Sequence, residues 1–238
     1  MSSSQQDPGA LTPAEQMESV YRLYAGLASG MDPETGLGGK LLYAGEPDDS
    51  GCLLLRAANI AGAASLAASV DGPALRHAMR QGALDFVVNS LDEALRILKN
   101  QIRKQQPAAA GISVAPAAVL AEMVERGVQP DLLAPSLPAA LELAAFTANG
   151  ARAFARFPQP PSGGVFNIVA IPADWKAPAA ALDTLLLDCL AAEDHVNRRW
   201  VRFAPRYLPA ECRRLRSLVC DPETARSLFV RIRQDTSS

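Results

Sequence analysis

Aromatic side chains are scarce in this sequence, 5% of 238 residues, although 49% of the chain is hydrophobic. The core must therefore be built from small and aliphatic side chains, Ala and Leu above all, which suit helices packed closely on a sheet. Long apolar runs are missing too. None reaches the roughly 18 uninterrupted apolar residues of a membrane span, and the opening MSSSQQDPGA has neither the basic nor the apolar stretch that directs export. The four cysteines, Cys52, Cys189, Cys212 and Cys220, form no CxxC pair and have no histidine at metal spacing. No metal site is expected, and a reducing cytoplasm is the expected compartment. No GxSxG, HExxH or Ser-His-Asp order occurs.

Charge of one sign is also lacking: the formal net charge is only −2. It is unevenly spread. Residues 195–238 hold ten arginines against Glu211, Asp221, Glu223 and Asp235, about +6, which leaves about −8 for the rest. This basic tail carries no nucleic-acid recognition motif, so an intramolecular match to the acidic body is expected in place of nucleic-acid binding.

What is present is an alternation of elements. Residues 1–11 are polar and expected to be disordered, and Thr12, Pro13 and Glu15 then open a helix with Met17, Val20, Tyr21, Tyr24 and Leu27 on one face. Residues 41–44 form a possible short strand before the polar turn 46–50. The Gly-Gly-Lys triplet at 38–40 is not a phosphate loop, because Walker spacing is absent and no Ser or Thr follows Lys40. Residues 51–69, GCLLLRAANIAGAASLAAS, read as a strand (52–55), a turn of small residues (57–62) and the start of a helix (from 63), the order that makes a first ligand crevice. Further strands are expected at 84–88, 109–114 and 129–133. Between them lie a helix opened by Pro73, one capped by Ser90 with Glu93, and one opened by Pro116. A helix over 135–153, a linker over 157–164, a strand over 165–171, a helix over 178–192 and short helices over 195–234 complete the chain. The expected architecture is α/β: a Rossmann-like three-layer parallel sheet over 12–157, with an α-rich C-terminal extension over 164–238.

Residues 51–133 resemble the nucleotide-binding domain of urocanase (urocanate hydratase). The resemblance is clearest in Ser90-Leu91-Asp92-Glu93-Ala94-Leu95, in the strand and helix over 112–126, and in Glu125-Arg126-Gly127-Val128-Gln129-Pro130-Asp131-Leu132. It implies a Rossmann-like fold and a lyase that uses tightly bound NAD as an electrophile. It also implies a cofactor crevice, which on these residues would comprise Ala58, Asn59, Ile60, Ala61, Gly62, Asn89 and Ala115. The crevice is degenerate. The family's first turn is dense in glycine, but only Gly62 keeps that freedom here; the acidic residue after the second strand is replaced by Asn89; the Gly-Asn turn after the third by Ala115-Pro116; and a polar segment by residues 132–137. The family's catalytic cysteine segment has no counterpart, since Cys52 is placed inside the first strand.

Other candidates are weaker. His77 between Arg76 and Arg80 reads as a solvent-edge residue, and His195 after Glu193-Asp194 as a helix end. Arg198, Arg199, Arg202 and Arg206, interleaved with Trp200, Phe203 and Tyr207, read as one element with aromatics inward and arginines outward. Asp174-Trp175-Lys176 follows a strand and could line a crevice. The expected function is that of a pseudoenzyme with no cofactor, acting through association with a protein partner or as a homo-oligomer. The alternative is an NAD- or small-anion-binding enzyme or sensor using the crevice after the first strand.

Overall fold

Six short strands form one wholly parallel sheet in the computed structural model, which describes residues 11–135, 137, 141–153, 165–171 and 179–236. The strands are β1 (Leu41–Gly45), β2 (Ala64–Ala68), β3 (Phe86–Val88), β4 (Ala108–Ile112), β5 (Leu132–Leu133) and β6 (Arg152–Ala153), and their spatial order is β3-β4-β2-β1-β5-β6. The helices that connect them are α2 (Asp49–Ala61), α3 (Gly72–Arg80), α4 (Leu91–Arg103), α5 (Pro116–Glu125) and α6 (Leu141–Ala148), while α1 (Pro13–Leu27) precedes the sheet. Side chains alternate across β1. Leu42 and Ala44 join the core under α1, α2 and α3, whereas Leu41 and Tyr43 join the core under α4, α5 and α6. Helices on both faces give the three layers, and this doubly covered parallel sheet is the expected fold class.

The stretch 51–69 is the main correction. Residues 49–61 are helix and 64–68 are strand, the reverse of the order expected from sequence. Asp48 caps the helix by accepting from the Gly51 backbone N–H at 2.7 Å, and Gly62, at φ +98°, ends it in the left-handed conformation. The expected turn glycine is thus a helix stop. Cys52 lies in the first turn of α2, not in a strand. The helix expected over 135–153 is shorter: α6 ends at Ala148, and Arg152 and Ala153 pair with Leu132 and Leu133. Thr12 and Glu15 form a full capping box at α1. Of the start expected to be disordered over 1–11, only Leu11 is described, exposed and ahead of α1; residues 1–10, the linker at 157–164 and Asp174-Trp175-Lys176 lie outside the described residues.

The C-terminal extension makes a sheet of its own. Strands β7 (Val165–Ala170) and β8 (Leu215–Cys220) pair antiparallel, with α7 (Ala179–Asp188), α8 (His195–Tyr207), a short 3-10 turn (Ala210–Cys212) and α9 (Pro222–Thr236) around them. Strand β8 falls where only helices were expected. The extension shares the core of α1 and α2. Trp200, 1% exposed, meets the Tyr21 ring edge-on at 5.0 Å and donates its indole N–H to the Ser217 carbonyl at 3.0 Å. Asn197 binds the same cluster through the Tyr21 hydroxyl and the Val219 carbonyl. No helix among the described residues is long and apolar enough to cross a membrane.

This shared core sets an expectation for unfolding. Trp200→Ala should cost about 3–5 kcal/mol, read by urea titration. In the unsubstituted protein the extension and the domain should melt in one transition, reported alike by far-UV and tryptophan signals.

Candidate functional site

In an open parallel sheet, ligands sit beyond the carboxyl ends of the strands where the strand order reverses. Here that point lies between β1, whose chain leaves toward β2, and β5, whose chain leaves toward β6. The first βα turn is therefore residues 45–48, not 57–62. Gly45 stands at φ +78°, and a Cβ there would come within 2.8 Å of Leu137 Cδ2. Leu137 packs against the cores on both faces of the sheet, so an aliphatic side chain of the protein itself sits at the switch point. Gly51 is equally constrained, since a Cβ would meet the Glu46 carbonyl oxygen at 1.9 Å. This glycine lets the turn close tightly onto the helix it precedes.

The polar groups along this edge are engaged in holding helix ends. The Asp48 carboxylate occupies the N-terminus of α2, the Asp71 carboxylate accepts from the Ala74 N–H at 3.0 Å, and Ser69 Oγ accepts from the Asp71 N–H at 3.1 Å. Ser90 Oγ accepts from the Glu93 N–H, while the Glu93 carboxylate accepts from Asn89, one residue earlier than a standard capping box. Helix α5 begins at Pro116 with no side-chain cap at Ala115, and the Tyr43 hydroxyl donates to the Pro116 carbonyl at 3.2 Å. Each such bond satisfies an otherwise orphaned helix-end group or fixes a turn.

The seven residues expected in one crevice fall at opposite ends of the sheet. Asn89 and Ala115 follow β3 and β4 at the carboxyl edge, Asn89 exposed and Ala115 half-buried. Ala58, Asn59, Ile60, Ala61 and Gly62 form the last turn and cap of α2, which leads into the amino end of β2. At about 3.3 Å per residue, a five-residue strand separates the two groups by roughly 17 Å. Asp48 and Leu137 were not among the sequence candidates. Asp48 could have been found as an N-cap before the helix formers of α2; Leu137 carries no local signal, because its partner Gly45 is distant in sequence.

The remaining candidates take structural places. His77 is exposed, 3.1 Å from Gln81 Nε2. His195 is the first residue of α8, where Asp194 accepts from the Asn197 N–H as cap. Arginines 198 and 199 do not point simply outward. Arg198 donates to the Leu187 and Leu190 carbonyls at the end of α7, and Arg199 to the Ile60 carbonyl at the end of α2, at 2.9 Å. Burial pushes the Cys52 and Cys212 thiols up to about 11, the opposite of an activated nucleophile. No group of three or more metal-ligating side chains occurs among the described residues.

Strand order, layers and switch point define a doubly wound Rossmann-like domain. Residues 36–150, from the residue after Thr35 to the turn before β6, match the family model of the urocanase Rossmann-like domain. The match takes in β1 and its turn, which the resemblance read from sequence began too late to include. Helix α1 and the extension lie outside it.

Two outcomes check these assignments. Gly62→Ala should destabilise the protein by about 1–3 kcal/mol, since any side chain there is strained and its Cβ would press on Arg199 at 2.5 Å. In the native protein at pH 8, Cys52 and Cys212 should react with iodoacetamide at least ~10-fold more slowly than in the urea-unfolded chain.

Proposed function

We propose that the protein is a non-catalytic urocanase-like protein that acts through association, with itself or with another protein, and whose first crevice does not take NAD. The observation that carries this reading is the state of the first βα turn. A pyrophosphate there would need the free N–H groups at the start of α2, where Asp48 already accepts from Gly51 and Asp49 adds a second negative charge. It would also need the space over Gly45 that Leu137 fills. The residues present do not fit the cofactor, and no reaction step is assigned through it.

Association is supported by the open edge of the sheet. Strand β3 is one of its two edge strands, and Phe86 on it is 39% exposed. An unpaired strand edge with an exposed aromatic is a template for further pairing.

Thermal unfolding with and without NAD, together with urocanate turnover followed by absorbance, tests the first part. At about 1 mM NAD the midpoint should stay within about 1 °C, and no urocanate should be consumed. Saturable stabilisation by NAD would overturn the closed-crevice reading. Sedimentation over a range of protein concentrations tests self-association: assembly should grow with concentration and be lost in Phe86→Lys, and a strict monomer throughout would remove that half of the proposal.

A further inference from the structure

The antiparallel pair of β7 and β8 has helices against both faces, so it can grow only sideways. Phe166 on one face meets the Tyr21 ring of α1 at 5.1 Å, and Arg216 on the other is paired with Asp183 of α7. The two outer edges differ. The Ile171 N–H donates to the Arg214 carbonyl at 2.8 Å, and bonded pairs alternate along the register, so Val165, Asn167 and Val169 turn their backbone groups toward β8. Phe166, Ile168 and Ala170 turn theirs outward. On the β8 side such outward groups are occupied: the Asn197 carboxamide donates to the Val219 carbonyl at 3.0 Å and accepts from the Val219 N–H at 3.4 Å, and the Trp200 indole donates to the Ser217 carbonyl. Side chains of α8 thus stand in for a third strand. On the β7 side no hydrogen bond from the described residues reaches the outward groups of Phe166, Ile168 or Ala170.

Edge strands are commonly guarded by a lysine, a proline or a bulge that blocks further pairing. Strand β7, VFNIVA, has none of these; its register against β8 is unbroken, and Val165 is 53% exposed. Its ends carry opposite charge. Exposed Arg213 and Arg214 lie at the Ala170 end, where β8 begins, and exposed Asp221 and Glu223 at the Val165 end, where β8 stops. A second copy turned through a twofold axis at Ile168 matches both features. Phe166 then faces Ala170 of the other copy and Ile168 faces its own equivalent, each exchanging both backbone bonds, while each basic end lies beside an acidic one. These charges sit one strand in from the edge, so they orient the copies and do not bond directly. We infer that two copies pair through β7, antiparallel about Ile168, into a continuous four-stranded sheet in the order β8-β7-β7-β8. This pairing rests on the self-association half of the proposed function, and it is the unit on which growth through β3 builds.

Sedimentation of the full chain and its Phe86→Lys variant tests it. Phe86→Lys should stop growth and leave a species of twice the chain mass across the range sampled. Adding Ala170→Pro removes an N–H that β8 does not use, and both copies lose that bond by symmetry, so the pair should weaken at least ~10-fold. Ala170→Val keeps the N–H and should keep the pair. Amide exchange reads the same contact. The Phe166 and Ile168 N–H groups should be protected in the Phe86→Lys pair and exchange freely once Ala170→Pro dissociates it, with Asn167 and Val169 protected in both by their bonds to β8. A monomeric Phe86→Lys protein, a pair unweakened by Ala170→Pro, or outward amides still protected in the dissociated chain would each overturn the inference. A pair that shows no growth in the unsubstituted protein upholds it and removes the β3 edge alone.

Discussion

Helix α2 is covered on both sides, by the sheet beneath and by α1 and α8 above, and the rest of the molecule is arranged around that burial. A helix with no solvent face has no use for the apolar stripe and polar backing of a surface helix; it must be small or apolar nearly all round. Hence Ala57, Ala58, Ile60 and Ala61 are fully buried in its second half. Two polar side chains are buried with them. Arg56, 3% exposed, donates to the carbonyls of Tyr207 and Gln81 and so ties the ends of α8 and α3 to the middle of α2. Its burial is offset by the partial negative charge of two helix C-termini. Asn59, one turn on, has no such match for its Oδ1 among the described residues.

The carboxyl edge of the sheet tells a complementary story. A Rossmann-like crevice works when helix N-termini and turn glycines are left open for a ligand. In this chain Asp48, Asp71 and Ser90 cap the helices that follow them, and Leu137 closes over Gly45. The same groups that would recognise an anion in an open crevice are satisfied internally. Each cap contributes on the order of 1 kcal/mol, so local stability and ligand access are in direct competition at these positions.

The sequence made the class of fold legible through its alternation, and the chain confirmed it. Ser90, Pro116 and the Asp221-Pro222 pair marked helix starts because capping is a local matter, settled by a few neighbouring residues. Residues 51–69 were misread for a physical reason. Strand β2, ASLAA, has no β-branched or aromatic residue, and every position in it is buried, so neither propensity nor a period of two identifies it. Helix α2, buried all round, lacks the amphipathic period that would have identified it in turn. With both signals removed, Gly62 reads in the sequence as a turn residue in a crevice, and the expected site is displaced by one element. Strand β8 is hidden in the sequence because its one arginine, Arg216, continues the basic run of Arg213 and Arg214 before it, yet Arg216 is buried and paired with Asp183.

The uneven charge has a similar lesson. A basic tail against an acidic body suggests carboxylate–guanidinium pairs, yet among the described residues none joins an α8 arginine to a carboxylate of the urocanase-like domain. Instead Arg198 meets the end of α7 and Arg199 the end of α2, each through backbone carbonyls. Helix C-termini present the negative end of the dipole and unpaired carbonyls, which a guanidinium fork satisfies without a counter-charge. The charge on each arginine is then only partly compensated. Where that charge borders a cleft, as Arg199 does beside Asn59, docking the extension onto the domain leaves a positive potential at the amino edge, on the side of the sheet opposite the turn that Asp48 and Leu137 have closed.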